Sequence, residues 1–143
     1  MNLSKETINN LVDHAIKARE KAYIPYSSYQ VGAAVLTDDD HIITGANVKG
    51  GSFNLICCGE RMALLKAVFD GYRKFKAVVT ATADGATPCG SCRQVIYELC
   101  GNVPVIVAKT DRSYRIINAE DLLPHAFEDQ KMKKKKDEAR NNQ

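Results

Sequence analysis

Cys57-Cys58-Gly59-Glu60 and Thr87-Pro88-Cys89-Gly90-Ser91-Cys92-Arg93 are the two stretches on which the architecture turns. Each follows a loop and opens a helix-patterned run. Glu60 to Asp70 comes after Gly50-Gly51-Ser52 and is closed by Gly71, a residue suited to the left-handed conformation that ends many helices. Arg93 to Cys100 has Val95, Ile96 and Leu99 on one side and stops at Gly101.

Strand patterns surround these two helices. Lys76-Ala-Val-Val-Thr-Ala81 precedes the second, with Ala83 to Pro88 as the loop that feeds Cys89, and Val103-Pro-Val-Ile-Val-Ala108 follows it. Tyr114 to Ile117 reads as a last short strand. Upstream, Tyr29-Gln-Val-Gly-Ala-Ala-Val-Leu36 and His41-Ile-Ile-Thr-Gly45 are joined by Asp38-Asp-Asp40 and read as a hairpin. Ile8, Leu11, Val12, Ala15 and Ile16 share one helical face, with Ser4 as its cap and Glu6 in the first turn, so a first helix runs to about Ala22. The order α, β, β, α, β, α, β, β predicts an α/β fold: a three-layer α/β/α sandwich around one mixed sheet of about five strands.

The 143 residues suit one domain. Hydrophobic residues are 45% and charged residues 26%, a soluble globular composition, and no apolar run approaches the roughly 20 residues of a membrane span. Without a continuous apolar leader in the first twenty positions, a cytoplasmic, reducing location is expected, where five cysteines serve as metal ligands, reactive thiols or core residues rather than disulfides. The formal charge of +3 is unevenly spread: Gln130 to Gln143 holds six of the 20 Lys and Arg and two of the 17 Asp and Glu, leaving residues 1–129 with 14 against 15. Residues 1–129 therefore read as the catalytic domain and 130–143 as a basic, disordered tail. A slightly acidic body without Trp argues against nucleic acid as partner.

Taken alone, Cys89-Gly-Ser-Cys92 has three readings: a redox pair at a helix start, half of a metal site, or buried small hydrophobes. The second cysteine-bearing helix start shifts the balance to metal, because two helix N-termini can bring thiolates and positive dipole ends to one point. Cys57 or Cys58 with Cys89 and Cys92 makes three ligands, which leaves a tetrahedral zinc ion one position for water. Glu60 is then placed to move protons beside that water. Arg61 and Arg93 follow the cysteines closely and can offset the charge of three thiolates by donating to sulfur, Arg61 taking the larger share.

With these residues in place the chain resembles the small homotetrameric cytidine deaminases of the three-cysteine zinc type. The resemblance rests on Tyr26-Ser-Ser-Tyr-Gln-Val-Gly-Ala-Ala34, Gly45-Ala-Asn47-Val48, Cys58-Gly-Glu60-Arg-Met-Ala63, Pro88-Cys-Gly-Ser-Cys-Arg-Gln94 and Leu122-Leu-Pro-His-Ala-Phe127. It implies one zinc per subunit on Cys58, Cys89 and Cys92, Glu60 as the acid and base of a hydrolytic attack on cytosine C4, and no organic cofactor. Cys57 and Cys100 are left as core residues. It further implies that Tyr29 packs on the nucleoside, that Asn47 bonds a sugar hydroxyl, that the backbone at Gly59 and near Thr87-Pro88 lines the base, and that Phe53 and Phe127 reach the pocket across subunit contacts of a homotetramer.

Lys49 departs from that resemblance, standing where the family typically has a ribose-binding Glu. An ammonium only donates where a carboxylate accepts, and the reversal is worth on the order of 1 to 4 kcal/mol at contact distance. Gly50, Gly51, Gly59 and a shorter 83–88 loop also point to a reshaped sugar side. The expected substrate is cytidine or deoxycytidine, with a blasticidin-S-like modified nucleoside or a free base such as isocytosine as the alternative. The remaining rivals are a polynucleotide-editing deaminase and a non-catalytic zinc module that would not need Glu60.

Overall fold

A computed structural model of the chain describes residues 3–141. Helix α1 (Lys5–Ala18) starts where Ser4 Oγ accepts a hydrogen bond from Thr7 N at 3.1 Å, and continues as a short 3-10 turn over Arg19–Lys21. Strands β1 (Gly32–Thr37) and β2 (Ile42–Ala46) form the expected hairpin. Its acidic turn is held by Thr37 Oγ1, which donates to Asp39 Oδ1 at 2.6 Å and accepts from His41 N at 2.8 Å.

Two short strands follow that the sequence patterning does not show, β3 (Val48–Lys49) and β4 (Ile56–Cys57), paired antiparallel in a ladder of their own. Then come α2 (Gly59–Phe69), β5 (Phe75–Thr82), α3 (Gly90–Cys100), β6 (Pro104–Lys109), β7 (Tyr114–Asn118) and the single turn α4 (Ala119–Leu122). The main sheet has the order β2-β1-β5-β6-β7. Only β5 and β6 run parallel, and the connection between them is α3.

Strand alternation divides the core into two layers. Ala34, Leu36, Ala77, Val79, Ala81, Ile106 and Ala108 pack against Ile8, Leu11, Val12 and Ala15 of α1. Ala33, Val35, Val78, Val105 and Val107 face α2 and α3 through Ala63, Leu64, Ala67 and Ile96. Phe75 joins this second layer because the β1/β5 register slips between Leu36 and Thr37, so that Thr37 pairs with Phe75 and Lys76 is passed over. The three-layer sandwich around a mixed five-stranded sheet is therefore present as expected.

Gln130–Asn141 is a helix, α5, where the charge run predicts disorder. Lys, Gln, Met, Glu and Ala are all strong helix formers, and Asp129 Oδ1 caps the start by accepting from Met132 N at 2.8 Å.

Candidate active site

The helices α2 and α3 leave the sheet with their N-termini beside the carboxyl end of β5, and the residues there line a cavity of about 200 Å3. Cys58 is the residue immediately before α2, Cys89 the residue immediately before α3, and Cys92 the third residue of α3. A Ser or Asn before a helix turns its side chain back onto the first-turn amides. Neither cysteine makes such a cap, and Cys58 Sγ lies 3.7 Å from Cys89 Sγ. The three sulfurs are within 4.8 Å of one another.

That spacing fits zinc. With Zn–S bonds of about 2.3 Å, tetrahedral geometry sets neighbouring sulfurs about 3.8 Å apart. The donor set is soft and has three members, and Cys92 is buried while Cys89 is exposed. Even without a cation, the hydrogen bonds within the cluster favour one thiolate, on Cys58. The hydrogen bond from Cys92, seconded by one from Cys89 and opposed by burial, draws the Cys58 thiol down to about 6, and the bond to Cys58 together with burial pushes Cys92 upward.

Glu60, the second residue of α2, is only 3% exposed and lines the same cavity as Cys58 and Cys89. No hydrogen bond reaches its carboxylate among the described residues, and since no buried side-chain polar atom there is left without a partner, the carboxylate oxygens open on the cavity. Glu60 is not among the side chains whose donor atoms converge with the three sulfurs, so it shares their cavity without joining the cluster.

Arg93 and Arg61 do different things. Arg93 Nε donates to Pro88 O at 2.8 Å, its Nη1 to Leu122 O at 2.8 Å and its Nη2 to Thr87 Oγ1 at 2.8 Å. Two of the nitrogens are committed to the Cys89 approach and the third to the end of α4, so the expected donation to sulfur is replaced by a brace that holds residues 87–88 against α4. Arg61 acts through charge, lowering both Cys57 and Cys58 against burial and neighbouring negative groups. Cys57, expected in the core, is half-buried and lines the cavity, and burial raises its thiol above the usual range. Cys100 is held up to about 12 by burial alone.

Tyr29, Asn47 and Lys49 all line the cavity. The Asn47 amide is largely engaged within the chain, with Oδ1 accepting from Val31 N at 3.0 Å and Nδ2 donating to Tyr29 O at 2.9 Å. One N–H and one lone pair remain for a ligand. Lys49 is exposed at the rim, and its ammonium has no carboxylate partner among the described residues. Solvent therefore screens it more than a recessed position would.

Gly59 is absent from the cavity wall. A Cβ there would meet Val31 O at 3.0 Å, so the missing side chain admits the 29–31 segment rather than widening the pocket. Gly50 behaves similarly, since a Cβ would meet Leu55 Cδ2 at 2.6 Å, and the loop closes on Leu55. Phe53 and Phe127 lie outside the cavity of the single chain, 94% and 66% exposed.

Several wall residues escaped the sequence reading: Val31, Val48, Ile56, Thr80, Thr82 and Ala86. Thr80 and Thr82 carried a usable signal. Two threonines spaced by two at the end of an apolar strand point to one face, and here both are buried against the cavity.

The family model for the cytidine and deoxycytidylate deaminase zinc-binding region matches residues 5–109. A protein named cytidine deaminase from Sporosarcina psychrophila is 43% identical over 84% of this chain and 90% of its own length. Another of that name, from Halalkalibacterium halodurans, is 45% identical over 82% of this chain and 91% of its own. Among solved structures, the cytidine deaminase of Burkholderia pseudomallei superposes with a TM-score of 0.80 at 40% identity, covering 87% of this chain and 100% of that one.

Proposed function

The chain belongs to the cytidine and deoxycytidylate deaminase family, and on that premise we propose that it hydrolyses cytidine or deoxycytidine to the uracil nucleoside and ammonia. The observation that carries the reading is Glu60: a buried carboxylate with no hydrogen-bond partner among the described residues, in one cavity with Cys58 and Cys89. A non-catalytic zinc site would keep the sulfurs but has no use for a carboxylate sheltered in the same cavity and free to meet a ligand.

Cys58, Cys89 and Cys92 hold the zinc, which when bound supplies a water of lowered pKa and a positive charge next to the reacting carbon. Glu60 takes a proton from the attacking water, passes it to N3 and then delivers a proton to the departing amino group, so one water is consumed and one ammonia released. Arg61 tempers the charge of the thiolates. Tyr29 packs on the nucleoside, and Asn47 offers its remaining N–H and lone pair to a sugar hydroxyl while holding Tyr29 in place. The backbone at Gly59 is near the base only through the turn it shares with Glu60.

Phe53 and Phe127 complete the site in a homotetramer, which their exposure supports: aromatic side chains this open are suited to burial against another subunit. A cytoplasmic location belongs to the same reading. Among the described residues no helix is long and apolar enough to cross a membrane.

A second reading rests on Lys49. An unpaired ammonium at the rim of a cavity whose other charged wall residue is Glu60 favours a cytosine nucleoside carrying a carboxylate or phosphate. The two are separated by ammonia release from cytidine, deoxycytidine, cytosine, isocytosine, cytidine monophosphate and blasticidin S. The main reading expects cytidine and deoxycytidine to lead the panel. The second expects an anionic or modified compound to lead and Lys49→Glu to reverse that order. No turnover of any of the six would overturn both.

A further inference from the structure

We propose that Asp84 is a positioning residue that latches the ring of Tyr29 across the solvent end of the cavity and so sets how tightly the site holds a nucleoside; the kinetic part of this rests on the deaminase reading above. Two segments far apart in the chain both contribute to the cavity wall, one through Tyr29 and Val31 and the other through Thr82 and Ala86 to Cys89. Tyr29 OH donates to Asp84 Oδ1 at 2.8 Å and joins them. The bond lies at the outer end, because Tyr29 and Asp84 are exposed whereas Glu60, Thr80 and Thr82 are buried.

Both ends of the latch are themselves anchored. On the Tyr29 side, its backbone N–H donates to Ser27 Oγ at 3.2 Å and its carbonyl accepts from Asn47 Nδ2 at 2.9 Å. On the other, the same Asp84 oxygen accepts from Thr82 Oγ1 at 3.1 Å and Ala86 N at 3.3 Å, while Ala86 N also donates to Thr82 Oγ1 at 3.0 Å. One carboxylate oxygen thus orders the loop leading into Cys89 and fixes the tip of the ring. An ionised acceptor makes the stronger kind of hydrogen bond, and a ring fixed at both ends loses less freedom when a ligand stacks on it.

The test uses Tyr29→Phe, Asp84→Ala, Asp84→Asn and the double variant Tyr29→Phe/Asp84→Ala in the zinc-loaded protein, with cytidine kinetics and amide exchange over residues 83–88. Removing either partner is expected to raise KM about five- to tenfold while kcat stays within about twofold. Asp84→Asn, which keeps an acceptor oxygen, should recover most of the loss, and the double variant should be no worse than the poorer single one. Unchanged KM in both singles, or effects that multiply in the double, would overturn the latch. Should the wild-type protein deaminate no cytosine nucleoside, the functional reading fails, and exchange still decides this one: Tyr29→Phe must speed exchange at Ala86, and unaltered exchange there sinks the proposal.

Discussion

The helix starts at Gly59 and Gly90 open on the same Cys-Gly pair, yet they are built for different work. At the start of α2, Gly59 and Glu60 are buried, Gly59 pressed against the Val31 carbonyl. At the start of α3, Cys89, Gly90 and Ser91 are exposed, a Cβ on Gly90 would meet nothing within 4 Å, and order comes from Arg93 reaching back to Pro88 and Thr87 and across to Leu122. The contrast is chemical. On the proposed reading, a proton-transfer group gains from shelter against bulk water, whereas two thiolate ligands are positioned by the Arg93 brace and by the metal bond itself. On the same reading, one start carries the acid and one ligand, and the other two ligands and no acid.

The sharpest way to break that division of labour is to disable each start in turn. Glu60→Gln should lower kcat by about 10² to 10⁴-fold with zinc content unchanged, and Cys89→Ala should abolish both zinc and activity, read by metal analysis beside turnover. Equal zinc loss in the two variants would mean that Glu60 is part of the metal's hold. A smaller effect is expected from the brace. Arg93→Ala removes three 2.8 Å hydrogen bonds, so it should cost about 2 to 3 kcal/mol in denaturant unfolding and loosen zinc in a chelator competition, while Arg93→Lys recovers little because an ammonium cannot span the same three acceptors. The smallest effect separates the glycines. Gly90→Ala should stabilise by about 0.5 kcal/mol, since it restricts the unfolded chain and meets open space, but Gly59→Ala should give no such gain because Val31 has to yield a few tenths of an ångström. Similar shifts in melting temperature for both would show that the 29–31 segment is softer than its packing suggests.

How much of this was legible beforehand follows from what each feature depends on. The sheet, the two helix starts and the metal cluster depend on local pattern and on the chemistry of Cys and Glu, and Lys76 to Ala81 or Cys58-Gly-Glu60 reveal them directly. The β3/β4 ladder pairs two residues with two, too few for any alternation to register. Arg93 and Asp84 each also reach a partner distant in the chain, Leu122 and Tyr29, and nothing near them in sequence announces those two contacts. In Gln130–Asn141 the two sequence signals compete: a dense run of like charge points to a solvated tail, while helix-forming residues behind the Asp129 cap support the helix that is present.

Cys58 and Cys89, 31 positions apart and with their sulfurs 3.7 Å from one another, give the metal an architectural consequence as well as a chemical one. An ion joining them is a cross-link that closes a loop containing all of α2 and β5. By the chain-entropy relation for cross-links of that size, the restriction amounts to about 3 to 4 kcal/mol withheld from the unfolded ensemble. The central strand of the sheet and the helix before it are thus tied off by the metal ion, and a chain unable to gather its cofactor is also a less stable chain.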